Sequence, residues 1–233
     1  MADGKLRTEI VLERIVKETS EIFSFVFKIP GDLTWISGQH GIFRYRDRQL
    51  EEDKGFRIFS IASVMFEGIM MFSTRITPES TDFKQQLLTM KPGEVMTVEG
   101  INGKFKIPDY DNKACIMAGG IGVTPVRALV KQMEMEGISP DGVTVLYSDD
   151  RGEFAYEEAL RKAGETVSGL EVVLISDRNI FVQKIEEYTR NNGNGSAYLI
   201  SGTPGMNAFI TEKLTKEGID KSNIITDVFM GYE

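Results

Sequence analysis

The feature that most constrains this chain is a change of rhythm near Asp109-Tyr110-Asp111-Asn112. Before it, short β-branched and aromatic runs follow one another with turn residues between them. Residues 5–17 and 21–29 are the first two, the second carrying Ile22, Phe23, Phe25, Val26 and Phe27 before the turn at Pro30-Gly31-Asp32. Further strand-like stretches fall at 41–45, 57–63, 68–76 and 94–98, and one short helix is expected at 81–90, capped by Ser80 or Thr81, with Phe83, Leu87 and Leu88 on one face. Many short strands with turn signals predict a small barrel or sandwich. After residue 112 strands and helices alternate. Strands are expected at 113–118, 143–148, 171–176, 196–201 and 223–229, and helices at about 124–136, 153–163, 179–190 and 205–217. That alternation predicts a parallel sheet with helices on both faces. The expected domains are 1–110 and 111–233.

Composition narrows the chemistry. Of the 233 residues, 41% are hydrophobic and 27% charged, a globular balance with material for a core. The sequence has no apolar run of the ~18–20 residues needed to span a bilayer, and the start MADGKLRTEI has no apolar signal region. A cytoplasmic protein is therefore expected. One cysteine, Cys115, cannot form an internal disulfide or a four-cysteine iron–sulfur centre, and one histidine, His40, argues against a zinc site, so no metal is expected. A formal net charge of −8 argues against a nucleic-acid partner. Any difficult redox chemistry must come from an organic cofactor.

Three segments have a composition suited to a ligand. Ala118-Gly119-Gly120-Ile121-Gly122-Val123-Thr124-Pro125 follows the apolar strand Ala114-Cys115-Ile116-Met117 and opens an amphipathic helix. Glycines let a backbone approach a phosphate, and helix N–H groups favour an anion. An ordinary Gly-rich turn between strand and helix fits the segment equally well, and the spacing is not that of the common dinucleotide fingerprint. Arg57-Ile58-Phe59-Ser60-Ile61-Ala62-Ser63 places Arg57, Phe59 and Ile61 on one face of a strand and Ser60 on the other. An Arg can grip a phosphate through two N–H groups, but taken alone the segment reads as an edge strand with a surface Arg. Ser201-Gly202-Thr203-Pro204-Gly205-Met206 is a second small-residue turn into a helix. Open α/β sheets bind ligands at the carboxyl ends of their strands, where both turns can lie side by side. Near the end, Phe229 and Tyr232 give the last segment aromatic character, consistent with packing or with a last core strand.

Taken in order, the segments resemble the ferredoxin–NAD(P)⁺ reductase superfamily over nearly the whole chain. The matching pieces are Gly38-Gln39, Arg57-Ile58-Phe59-Ser60, Ser80-Thr81-Asp82-Phe83-Lys84, Lys91-Pro92-Gly93-Glu94, Gly100-Ile101-Asn102-Gly103-Lys104-Phe105, Ala118 to Pro125, Ser201 to Met206 and Phe229-Met230-Gly231-Tyr232. The resemblance implies a six-stranded antiparallel flavin-binding barrel followed by a parallel-sheet α/β domain for the nicotinamide nucleotide. It implies FAD held by Arg57, Ile58, Phe59, Ser60, Arg75, Thr77, Thr81, Asp82 and Phe83, with Arg57 on the flavin phosphate and Ser60 near the reactive ring nitrogen. It implies NADH or NADPH at Gly119, Gly120, Gly122, Thr124, Gly202 and Met206, with Phe229 near the flavin ring and Ser60 and Ser201 as catalytic residues. Three places depart from the family pattern: Phe59 stands where Tyr is usual, Ser201 where Cys is usual, and Ile101 or Asn102 where Pro is frequent, the last a tolerable change.

The implied activity is hydride transfer from NAD(P)H to bound FAD, then electron transfer to an acceptor protein or small acceptor. The alternatives are an electron-transfer subunit of a larger redox complex, a free-flavin reductase, and a binding module that lost the chemistry. Asp149 and Asp150, after the second strand of the α/β domain, would repel a 2′-phosphate and favour NADH, with Arg151 or Arg178 pulling the other way.

Overall fold

The computed structural model describes residues 7–50 and 54–229. The chain divides into two compact units between Lys104 and Phe105.

The first unit is one antiparallel sheet of six strands. β1 (Thr8–Lys17), β2 (Ile22–Lys28), β3 (His40–Tyr45), β4 (Arg57–Ser60), β5 (Ile69–Arg75) and β6 (Val95–Asn102) lie in the order β4-β3-β6-β1-β2-β5. The two edge strands meet where Ile61, just past β4, bridges Phe72 of β5, and Ala62 N–H donates to Met71 O at 2.7 Å. That contact curls the sheet into a barrel, so the alternation along each strand becomes inside against outside. The inside is aromatic. Phe59 stacks on Phe72 with ring centres 4.4 Å apart and planes 9° off parallel, and Phe25, Phe27 and Phe43 pack round the same ring. One helix, α1 (Asp82–Leu88), buries Phe83 and Leu87 against this core while Leu88 stays 39% exposed.

The second unit is a parallel sheet. β7 (Lys113–Gly119), β8 (Val143–Ser148), β9 (Leu170–Ile175), β10 (Ser196–Gly202) and β11 (Ile224–Val228) stand in the order β11-β10-β7-β8-β9. Chain order reverses between β7 and β10, which makes their carboxyl ends the switch point where such sheets take ligands. α2 (Val123–Glu136) and α3 (Glu157–Thr166) pack on each other on one face. α4 (Arg178–Asn192) and α5 (Pro204–Lys216) cover the other, over Cys115, Met117, Tyr198 and Ile200. Burial there pushes the Cys115 thiol well above its ordinary range, which leaves it a packing group.

The architecture matches the expected one, with boundaries shifted by a few residues, and two of the shifts have a visible cause. β6 runs on to Asn102 rather than ending near residue 98, because β3 keeps pairing with it through an irregularity between His40 and Ile42. α3 starts at Glu157 rather than 153 because residues 149–156 are spent on a turn, with Gly152 at φ +70° and Tyr156 at φ +61°. Among the described residues no helix is long and apolar enough to cross a membrane.

Candidate functional site

In the barrel, β4 and α1 bring three cations together. Arg57 opens β4 on the inner face and is 2% exposed. Its guanidinium donates to Phe56 O at 2.8 Å and to Thr81 Oγ1 at 2.7 Å, and lies 5.1 Å from the centre of the Phe83 ring. Thr81 holds the N-cap position of α1, yet its hydroxyl accepts from Arg57 and caps nothing. Arg75 ends β5, with Glu21 3.8 Å away. Lys84 is the third cation. Its ammonium is held below the ordinary lysine range, first by burial and then by Arg57 and Arg75. Like charges gathered out of water cost stability unless an anion joins them.

The other expected barrel residues surround this cluster or line β4. Thr77 N–H donates to Ser80 Oγ at 3.0 Å, and Gln85 Nε2 donates to Thr77 O at 2.6 Å, which fixes the turn before α1. Asp82 begins α1 and accepts from Gln86 Nε2 at 3.0 Å. Phe59 turns its ring into the core and is 7% exposed, whereas Ile58 faces outward at 43%. Ser60, 6% exposed, stands on the same face as Ile58, in register with His40 of β3. Sequence reasoning does not mark out Lys84 or His40 as site residues. Lys84 at least ends the matching segment Ser80–Lys84, but its approach to Arg57 and Arg75 is a product of the fold.

In the second unit the two small-residue turns are neighbours. Ala118 of β7 is in register with Ser201 of β10, and Gly119 and Gly202 follow them. A Cβ on Gly122 would stand 2.2 Å from Ser201 O, and one on Gly119 or Gly202 would stand 2.2 or 2.6 Å from Met206 Sδ. Glycine is therefore a steric demand at Gly122, where the neighbours are backbone, whereas at Gly119 and Gly202 the neighbour is the flexible end of Met206. Gly120 adopts φ +52° in a 3₁₀ turn (Gly120–Gly122) that leads into α2, and Thr124 Oγ1 donates to Ile121 O at 2.8 Å. Thr203 caps α5, its hydroxyl accepting from Met206 N–H at 3.3 Å. Two buried polar atoms here, Ser201 Oγ and Asn207 Oδ1, meet no hydrogen-bond partner among the described residues. Buried polar atoms of this kind call for a partner, which a bound ligand could supply. Phe229 N–H donates to Gly202 O at 2.9 Å, prolonging the pairing of β11, while Tyr232 lies outside the described residues.

Of the acids after β8, Asp149 is buried and accepts from Arg151 N–H at 3.0 Å, so its carboxylate serves the turn. Asp150 and Arg151 are exposed. Arg178 lies in the first turn of α4, 5.9 Å from the ring centre of the partly exposed Phe209. No group of three or more potential metal-ligating side chains occurs among the described residues.

No protein-family model matches the chain. One component of the Na(+)-translocating NADH-quinone reductase of Serratia proteamaculans is 26% identical over 229 residues, covering 88% of this chain and 56% of that component. Its counterpart in Methylococcus capsulatus is 28% identical over 200 residues, covering 75% and 49%. The chain thus spans about half the length of these relatives. A ferredoxin NADP+ reductase from Neisseria gonorrhoeae, solved with FAD and NADP, superposes with a TM-score of 0.78 at 16% identity over 95% of this chain and 98% of that one. The Plasmodium falciparum ferredoxin-NADP+ reductase with 2'P-AMP gives 0.78 at 12% identity, covering 98% and 99%. The chain has the two-part fold of the ferredoxin–NADP+ reductases.

Proposed function

We propose that this protein is an NAD(P)H-dependent flavin oxidoreductase that holds FAD on its barrel unit, up to about residue 110, and the nicotinamide nucleotide on its α/β unit. The cluster of Arg57, Arg75 and Lys84 carries this reading. Three cations that depress one of their own number, one of them 2% exposed, fit a multiply charged phosphate group. The donor set therefore suits the cofactor the fold implies.

When bound, the flavin supplies a ring that accepts a hydride from reduced nicotinamide and gives its electrons to an acceptor. The residues divide the remaining work. Arg57, Arg75 and Lys84 neutralise the phosphates, with Thr77, Thr81, Asp82 and Phe83 shaping the cradle. Thr81 orients the Arg57 guanidinium by accepting from it. Ile58 offers apolar surface, and Phe59 acts from behind, locking β4 to the core through Phe72. Ser60 holds a hydroxyl for the reactive ring nitrogen. In the α/β unit Gly119, Gly120, Gly122 and Gly202 admit the nucleotide's diphosphate, aided by Thr124 and Met206. Ser201 holds its buried hydroxyl as a partner for the nicotinamide. The hydride donor is NADH or NADPH, and a cytoplasmic location fits a reaction that draws on the pyridine nucleotide pool.

A second reading has its own support. The two relatives named are components of a larger reductase. On that reading the same chemistry feeds a protein partner, and the acceptor is a redox protein or a neighbouring component rather than a small molecule.

The test is the absorption spectrum of the purified protein supplied with FAD. Flavin bands that persist through gel filtration and bleach on anaerobic addition of NADH or NADPH are the expected result. Protein that keeps no flavin, or keeps it without bleaching by either nucleotide, refutes the proposal.

A further inference from the structure

β9 is an edge of the α/β sheet and, among the described residues, pairs with β8 alone. In a parallel ladder a residue turns its N–H and C=O to one side, and the next residue turns them to the other. Gly169 O accepts from Val143 N–H at 2.8 Å and Ile175 O from Asp149 N–H at 3.1 Å. The odd-numbered residues therefore serve β8, and Val172 and Leu174 turn their backbone groups away from the sheet. Both residues are partly exposed. Sheet edges are usually blunted by lysine, proline or a bulge. The run Leu-Glu-Val-Val-Leu-Ile has neither lysine nor proline, its pairing with β8 is unbroken, and its single charge is Glu171.

Beside the edge, between the sheet and α4, lies a groove of about 180 Å³. Leu146 and Val173 give it apolar surface, and Thr144, Glu171, Lys184 and Glu187 give it polar groups. Val172 belongs to the other face, where a Cβ on Gly164 of α3 would stand 3.4 Å from it. Lys184 donates to Glu187 at 2.9 Å, whereas the exposed Glu171 accepts from Thr144 Oγ1 at 3.4 Å and has no cation in an ion pair with it among the described residues. In an added antiparallel strand, the residues opposite Glu171 and Val173 form the closer, non-hydrogen-bonded pairs, with Cα atoms ~4.5 Å apart and side chains on the groove face. Along that strand the residue opposite Val173 comes first and the one opposite Glu171 two places later.

We propose that β9 docks an extended segment of another protein, in which an apolar residue is followed two places later by arginine or lysine. Backbone bonds to Val172 and Leu174 give the affinity, and the groove selects the sequence. The apolar side chain rests on Val173 and Leu146, and the cation meets Glu171. A lone exposed ion pair adds little affinity, so its work here is discrimination against an acid in the same place. A second copy of this chain fits poorly. Two-fold pairing centred on Val172 sets Glu171 of each copy opposite Val173 of the other, which adds a third carboxylate to a groove with one ammonium.

The test uses the full chain and a capped, fluorescently labelled peptide, Ser-Thr-Val-Ile-Arg-Thr-Ser. Fluorescence anisotropy should show saturable binding, and replacing the peptide's Arg by Glu should weaken it about tenfold or more. Glu171→Arg should invert that preference. Leu174→Pro removes an outward N–H and no bond to β8, a change that edge strands accept. It should abolish binding of either peptide. Hydrogen exchange should slow at the Val172 and Leu174 amides when peptide binds, and change little at Val173, which already bonds to β8. Absence of binding up to on the order of 1 mM peptide overturns the proposal. Equal affinity for the Arg and Glu peptides also overturns it, as do Val172 and Leu174 amides that ignore bound peptide. A chain that runs as a dimer, with those two amides protected before any peptide is added, puts a second copy on the edge and overturns it as well.

Discussion

At the scale of single residues, the barrel trades stability for charge. On the proposed reading Arg57→Ala removes a charge-assisted phosphate contact, an expected loss of about 1.5–3 kcal/mol of flavin affinity. FAD titration of the variant should show that weakening, with flavin-free unfolding changed much less. Wild-type affinity in Arg57→Ala would take Arg57 off the phosphate. Lys84 makes the trade visible in the opposite direction. Its ammonium is held below the ordinary value of 10.5 by burial and by Arg57 and Arg75. Between the depressed value and the ordinary one the unfolded chain binds more protons than the folded chain. The stability contributed by this group therefore rises with pH across that window. Lys84→Met should abolish the rise, raise the melting temperature of the flavin-free protein at neutral pH, and weaken FAD binding. Calorimetry with and without FAD checks both signs, and a flavin-free variant less stable than wild type would deny that the cations strain one another.

At the scale of elements, the two turns of the α/β unit set how much change each glycine tolerates. A Cβ on Gly122 would meet backbone, Ser201 O at 2.2 Å and Gly202 Cα at 2.9 Å, which cannot swing away. Gly122→Ala should part the ends of β7 and β10, lower the melting temperature and abolish reduction by NAD(P)H. Gly205, in the first turn of α5, has nothing within 4 Å of such an atom. Gly205→Ala should be neutral or stabilising by up to ~1 kcal/mol. Equal effects in thermal melts would remove the steric argument. These elements also show what the sequence could disclose. Periodicity located β7 to β11 and their helices within a few residues, because each buried face repeats at its own period. The start of α3 escaped it, since the helical pattern of 153–163 gives no hint that Tyr156 stands at φ +61°. Adjacency of the two turns followed from the rule for open sheets. The convergence of Arg57, Arg75 and Lys84, and the pairing of His40 with Ser60, did not, because barrel closure and strand register are properties of long-range packing.

At the scale of the whole molecule, one chain combines an aromatic barrel with an open sheet, and the proposed ligands differ accordingly. Three cations suit a diphosphate better than a single phosphate, so heat-released cofactor should run as FAD on chromatography. FMN alone would reject that assignment and leave the reductase reading standing. Because only the folded barrel would hold the cofactor, FAD at about 100 times its dissociation constant should add ~2.7 kcal/mol to stability.

The wall that Met206 builds against Gly119 and Gly202 has one more consequence, for ageing. Its thioether is partly exposed and sits where either glycine's Cβ would already be 2.2 or 2.6 Å away. Reduced flavin that meets dioxygen yields peroxide, and peroxide converts methionine to the bulkier, polar sulfoxide. The added oxygen would have to be accommodated beside two glycines that already stand close to the thioether. A reductase of this kind that idles in air without its acceptor would wear out first at Met206, losing its nucleotide before its flavin, and a methionine sulfoxide reductase would bring it back.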